Sequence, residues 1–440
     1  MVAVCLLPAC VSLAGDAPRV VTPWQIVSNT VAHSQRLRMI DRDVDAATAR
    51  QDQARAQGLP LLSADAKASR YTGLHDSQFG PALNIPAIEN RYGAGITISQ
   101  PAYTGGRVKS QKESAAFQTT ASRHDRRGAE ADVVLQASTA YWNWSKAYYS
   151  VESLNAAVAR VESHAKDMRN LHEAGLATDN DSLATDVMLD QTRLRLEEAR
   201  RRVEIANARI TFLTGQSLPA DSVPEQAAAP SDLGLAPEGM LLEMAQTNRA
   251  ERAAREMDAR AAESQIKAAR AEYSPQLSLI ARYEDSRPNL MNIPPQDKWQ
   301  DDAFVGVSVS WNLFDWGLRR AKVAEASSRS AQARLRVEQV EDQIALEVRE
   351  ARIDLQDARQ RVTVAERFAE SARRNYQSAT DLWHNGLARH SDVLDAHDQL
   401  TTAEYEVIAA RADVALAKAA LDHAVGALSA SPPARDENQR

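Results

Sequence analysis

Residues 348–386 read VREARIDLQDARQRVTVAERFAESARRNYQSATDLWHNG, with small or apolar side chains at alternating three- and four-residue steps: Val348, Ala351, Leu355, Ala358, Val362, Ala365, Ala369, Ala372, Tyr376, Ala379 and Trp383. Beyond Gly386 the rhythm restarts, with Val393, Leu400, Val407, Val414 and Leu421 at one seam position and Ala396, Ala403, Ala410, Ala417 and Ala424 at the other. A sustained period of about 3.5 residues winds a helix around its neighbours. Alanine at alternate seam positions lets two backbones approach closely. The stretch therefore predicts a long antiparallel coiled-coil hairpin turned at Trp383-His384-Asn385-Gly386, with Ala365 in a tight seam that leucine would overpack.

Carrying Gly106 onto Gly317, an offset of 211, lays this hairpin on an earlier one. Gly175-Leu176-Ala177 falls on Gly386-Leu387-Ala388, Asp181 on Asp392, Leu183 on Leu394 and Gly215 on Gly426. The seam maps as well, through Ala137, Ala140, Trp144, Ala147, Val151, Leu154, Val158, Val161, Ala165 and Met168, returning through Leu189, Leu196, Val203 and Ile210. A gapless match over about 120 positions is a tandem duplication rather than a short solenoid repeat.

Composition agrees. Only 17 of 440 residues are glycine and 5% are aromatic, which suits a mostly helical chain. Lys plus Arg number 52 against 59 Asp plus Glu, a formal charge of -7, so there is no basic footprint for nucleic acid. Both cysteines, Cys5 and Cys10, lie in the first ten residues, leaving no thiols for a disulfide framework, a Cys-based zinc site or thiol catalysis. Neither a Gly-rich phosphate loop nor a His-Glu-x-x-His helix is present, so no enzyme, cofactor or metal centre is expected.

Taken in order, residues 1–15 form a short apolar run that resembles a secretory signal without its basic start, as if the true start lay upstream. Leu7-Pro8-Ala9-Cys10 resembles a lipoprotein box with Cys10 as the lipidation site, and Ser12-Leu13-Ala14 would serve equally as an ordinary cleavage site. Residues 16–215 make the first repeat. Thr22-Pro23 caps a helix running to about Gly58. Leu62, Ala64, Ala66 and Ala68 then alternate with polar residues, predicting a strand over about 60–71. Tyr92, Ala94, Ile96 and Ile98 predict its partner over about 91–100, and the long helix follows over about 106–174. Residues 216–237, with four prolines (Pro219, Pro224, Pro230, Pro237), read as a linker, 238–428 as the second repeat and 429–440 as a disordered tail. The second repeat carries strands over about 275–284 and 303–311 and its long helix over about 317–385.

Strands of 9 to 11 residues with one apolar face match a membrane barrel. Four of them cannot close one, because unpaired edges would sit in lipid, so several copies of the chain must share it. The competing reading is two soluble hairpins packed on the helices. Tyr71, Tyr92, Tyr103, Tyr283, Trp311, Phe314 and Trp316 cluster at strand ends, as an interfacial girdle in the first case and as core in the second. As single helices, Gly106 to Gly175 and Gly317 to Gly386 would each run roughly 100 Å. Each matches the leading and return helices of its repeat stacked end to end.

Helix, strand pair, very long helix, glycine turn and return helix, all duplicated, with Gly105-Gly106-Arg107 and Phe314-Asp315-Trp316-Gly317 just after the second strands, resemble the TolC-type outer-membrane efflux and secretion channel family. The resemblance implies a homotrimer, with a 12-stranded β-barrel in the outer membrane of a Gram-negative bacterium on an α-helical coiled-coil tunnel in the periplasm. It further implies a periplasmic adaptor and an inner-membrane pump as partners, and service as the exit duct of a tripartite efflux or type I secretion system. A periplasmic coiled-coil adaptor, or a structural protein of the envelope, is the competing class; the first lacks its short-strand domains here and the second would lack the hairpins.

Family members close the periplasmic tip with residues after the second glycine turn, and the resemblance places Asp392 and Asp395 at that constriction, with Asp181 at the matching position of the first repeat and Trp383 as the aromatic before the turn. The tip-locking arginine of the family falls on Ala388, with Arg389 one place later. A plainer reading makes Ser391 the cap of the return helix, with Asp392 and Asp395 in its first turn. His384, His390 and His397 also gather there, either as a loose metal site or as solvated surface residues.

Overall fold

The structure, a computed structural model, describes residues 19–80, 83–85, 87–225, 236–293 and 295–428; the signal segment with Cys5 and Cys10, and the tail at 429–440, lie outside them. A short strand, β1 (Arg19–Val21), leads to Thr22, whose hydroxyl accepts the Gln25 N–H while the Gln25 side chain accepts the Thr22 N–H. This box opens α1 (Pro23–His33) with proline in its first turn. The leading segment is two helices rather than the single one expected to Gly58. Ser34 turns extended (ψ 114), its Oγ accepts the Leu37 N–H, and α2 (Gln35–Ala56) starts anew. A serine that can bond its own backbone competes with helix continuation, and here it wins.

The first half continues through β2 (Leu61–Arg70), a small pair β3 (Ser77–Phe79) and β4 (Leu83–Ile85), then β5 (Asn90–Tyr103), α3 (Arg107–Glu173) and α4 (Asp179–Thr214). A strand inside the expected linker, β6 (Ser222–Pro224), pairs in parallel with β1. The second half runs α5 (Glu238–Asn248), α6 (Ala250–Arg270), β7 (Gln276–Arg287), β8 (Gln300–Ser310), α7 (Leu318–His384) and α8 (His390–Ala424).

The duplication is visible in backbone angles. α3 and α7 are each 67 residues long. Gly106 and Gly317 share φ 89°, Gly175 and Gly386 stand at 73° and 71°, and Gly215 and Gly426 at 71°. The left-handed region is open to glycine at no steric cost, so the turn residues themselves were copied. The repeat also reaches the leading helices at a different offset. α1 and α5 both have 11 residues, and the chain breaks after each at one extended residue, Ser34 (ψ 114) and Arg249 (ψ 116).

Two compact units result. One comprises 40–125 and 251–340 and holds the antiparallel sheet β2-β5-β7-β8. Its register aligns Leu62, Ile98, Ala281 and Val305 across all four strands, and likewise Ala64, Ile96, Tyr283 and Ala303. Facing partners in a ladder share a side of the sheet, so the apolar alternation of each strand merges into one continuous face. That face is bare: Leu62 is 68% and Val305 86% exposed. Ser63, Thr97, Asp65 and Glu284 occupy the other side, where the Arg282 guanidinium lies 3.1 Å from Asp65 and 2.9 Å from Glu284. All seven aromatics named for the girdle are exposed, so neither they nor the apolar face is packed as a soluble core. The helical part of this unit is tied by Thr119 Oγ1 donating to the Ala47 carbonyl (3.1 Å) and Gln265 donating to Ser114 Oγ (2.8 Å).

The other unit comprises the described residues of 1–39, 126–250 and 341–440. Val21, Ile26, Ala140, Tyr141, Trp144, Ile210 and Leu213 form its core, and the Tyr141 hydroxyl donates to the Val21 carbonyl (2.9 Å) while accepting the Glu225 N–H (2.8 Å). Burial pushes that phenol pKa far up, so it stays neutral and can hold both partners. The seam of α7 and α8 closes through Ala369, Ala372, Leu400 and Ala403. Ala365 is buried as expected, yet it borders a 700 Å³ groove with Val364, Phe368 and Ala410, so the tighter contact lies at Ala403. Two apolar stripes stay uncovered: Leu183, Val187, Leu194, Ile205 and Phe212 on α4, and Leu346, Ile353, Val364, Phe368 and Leu382 on α7. At 3.6 residues per turn each stripe stays within about 60° of arc. Among the described residues no helix is long and apolar enough to cross a membrane.

Candidate gating site at the hairpin tips

Both hairpins turn through a glycine that accepts the end of a long helix. Gly175 N–H donates to His172 and Gly386 N–H to Trp383, while Leu176 and Leu387 reach back to the Leu171 and Leu382 carbonyls, closing each helix as a Schellman-type stop. The return helices then start differently. Thr178 caps α4: its hydroxyl accepts the Asp181 N–H (3.2 Å) and donates to the Asp181 carboxylate (2.6 Å), which also accepts the Thr178 N–H (3.3 Å). The Thr178 hydroxyl holds the Asp181 carboxyl below the usual carboxylate range, against a smaller effect of burial. In α8 the cap position is Arg389, whose N–H donates to the Asp392 carboxylate at 3.0 Å. Ser391 lies inside the helix and does not cap it.

Asp392 and Asp395 are both exposed, three positions apart in the first turns of α8, so they lie on neighbouring turns of one face. Asp392 thus has its capping bond and an exposed carboxylate together. Asp181 occupies the equivalent place at the start of α4 and is half-buried. Trp383 is half-buried against histidines, with ring centroids 4.9 Å from His164 and 6.0 Å from His390. Arg389 is exposed at the turn.

The three histidines do not share one environment. His384 is exposed, whereas His390 and His397 are buried, at 8% and 4% exposure, rather than solvated at the surface. His397 packs edge-on against Tyr376 and hydrogen-bonds Thr401. His390 Nδ1 lies 3.3 Å from Nε2 of His164, and its Nε2 lies 2.8 Å from Thr185 Oγ1. Burial pushes His164 and His397 down to about 4 and lowers His390 as well. His164 and Thr185 were not singled out from sequence, because a lone imidazole on α3 and a threonine on α4 carry no spacing that links them to position 390.

These tips join the two repeats inside one chain. Thr185 on α4 meets His390 on α8, Arg195 on α4 pairs with Asp398 on α8 at 2.6 Å, and Arg160 on α3 pairs with Glu404 on α8 at 2.9 Å.

Comparison with known proteins agrees with this layout. The profile described as outer membrane efflux protein matches residues 26–216 and 241–427. Outer membrane protein OprJ of Pseudomonas aeruginosa is 25% identical over 385 residues, covering 84% of this chain and 77% of its own. The outer membrane protein VceC of Vibrio cholerae superposes with a TM-score of 0.78 at 18% identity, over 92% of this chain and 96% of its own. The open state of the MtrE outer membrane channel of Neisseria gonorrhoeae gives 0.76 at 18% identity, over 94% and 90%. The chain belongs to the outer membrane efflux protein family.

Proposed function

We propose that three copies of this chain form the exit duct of a tripartite efflux or type I secretion system, carrying substrate across the periplasm and the outer membrane as a passive conduit rather than as an enzyme. The observation that carries the proposal is the four-stranded sheet. Its strands, 10 to 14 residues long, are long enough to cross a bilayer when tilted. One face is continuously apolar and bare, and among the described residues the outer edges of β2 and β8 have no partner strand. Lipid tolerates neither open edge, so β8 of one copy pairs with β2 of the next until the sheet closes. The bare stripes on α4 and α7 fit the same arrangement, each covering its counterpart on a neighbouring copy.

At the tip, threefold symmetry turns Asp392 and Asp395 into carboxylate rings, with Asp181, Trp383 and Arg389 at their margin. A periplasmic adaptor and an inner-membrane pump complete the assembly, and lipidation of Cys10 would add a second attachment to the membrane. The test is fractionation of cells producing the full chain. A heat-modifiable trimer in the outer-membrane fraction is expected; a stable monomer in the soluble periplasm would overturn the reading.

A further inference from the structure

Four helices meet at an imidazole pair, one half-buried and one buried: His164 comes from α3, Thr185 from α4, Trp383 from α7 and His390 from α8. The protons in this contact can be assigned from its partners. The Thr185 hydroxyl donates its one proton to the Asp181 carbonyl at 2.8 Å, so toward His390 Nε2 it accepts. His390 then carries its hydrogen on Nε2 and offers a lone pair at Nδ1. His164 Nε2 must donate to that lone pair. The result is a one-way chain, His164 to His390 to Thr185 to the Asp181 carbonyl, in which both imidazoles are neutral.

We propose that this chain is an acid-released latch, holding the hairpin tips of the two repeats together in the resting duct and letting them part when both imidazoles are protonated. The proposal rests on the duct reading above and adds the residues that regulate it. Two imidazolium rings would set one N–H against another across the 3.3 Å contact, where no acceptor remains.

The surrounding charges do not undo this. Asp167 on α3 favours a charged His164, while His390 and His384 oppose it; Asp181 on α4 favours a charged His390. His397 on α8 has Asp398 on its favourable side, and Arg160, His164 and Arg195 against it. Burial outweighs the nearby carboxylates at all three rings and keeps them neutral. The sign follows. A ring held neutral below the ordinary imidazole value near 6.5 strengthens the latched state fully above that pH and weakens it as pH falls toward about 4. For His164 this shifts the ratio of latched to released tips by up to about tenfold per pH unit across that window, and His390 acts in the same direction.

The experiment is planar-bilayer conductance of the purified full-length trimer, with pH varied on the side of the tips. Wild-type conductance is expected to rise several-fold between pH 7.5 and 4.5. The pair His164→Gln and His390→Gln keeps a donor and an acceptor on each side chain but cannot titrate, and should stay in the low state at both values. His390→Arg should be in the high state already at pH 7.5. A flat wild-type profile would overturn the latch without needing any variant. An acid response that survives the double glutamine change, in trimers verified by their migration, would overturn it too. Absence of conductance from every variant at every pH would instead count against the duct reading itself.

Discussion

At the scale of single residues, the acids of α8 separate into what a helix needs and what a pore would use. Asp392 accepts the Arg389 N–H, so its loss removes one end-capping bond, which costs about 1 kcal/mol in typical helices. The remaining carboxylate surface and all of Asp395 stay exposed in the chain. Rings of three like charges concentrate cations. The duct should therefore be cation-selective and blocked by multivalent cations from the side of the tips. Asp392→Ala with Asp395→Ala should abolish that block and lower cation selectivity in bilayer recordings, with the trimer intact; full retention of both would leave these acids with a capping role alone. The proposed constriction residues Asp181, Trp383, Arg389, Asp392 and Asp395 come from the family resemblance, which counts each from a glycine turn. The sequence did not display the His164 contact with His390, since partners 226 positions apart on different helices leave no periodic trace.

At the scale of elements, the regular parts were readable and their interruptions were not. The long helix expected over 317–385 is Leu318–His384, and the one expected over 106–174 is Arg107–Glu173, because heptads and glycine stops act locally. The break at Ser34 depends on one side chain choosing its own backbone, and the pairing of β1 with β6 joins residues on either side of a whole repeat. Neither leaves a pattern in the chain. Seam tightness was likewise hidden: Ala365 and Ala403 look alike in sequence, but Ala403 is fully buried against Ala369, Ala372 and Leu400. Ala403→Leu should thus cost about 1 to 3 kcal/mol by overpacking, while Ala365→Leu, with groove space beside it, should cost less. Thermal unfolding of the two variants side by side checks this, and an equal or reversed order would contradict the seam assignment.

At the scale of the whole molecule, the described residues leave apolar surfaces bare, which the proposed duct would cover with other copies and lipid. The bare apolar face of the sheet and the stripes on α4 and α7 would be costly to leave in water, and the edges of β2 and β8 costly to leave in lipid; the proposed closed ring of copies covers all of them. The measurement that tests this most directly is disulfide trapping across the two edges in outer-membrane vesicles. Ala64→Cys on β2 would be combined in turn with Val305→Cys, Val307→Cys and Val309→Cys on β8, all on the apolar side of the sheet by register. One of these pairs should give, on oxidation, a ladder of covalent species ending at three chains. Monomer alone from every pair, or a ladder running past three, would contradict a barrel shared by three copies.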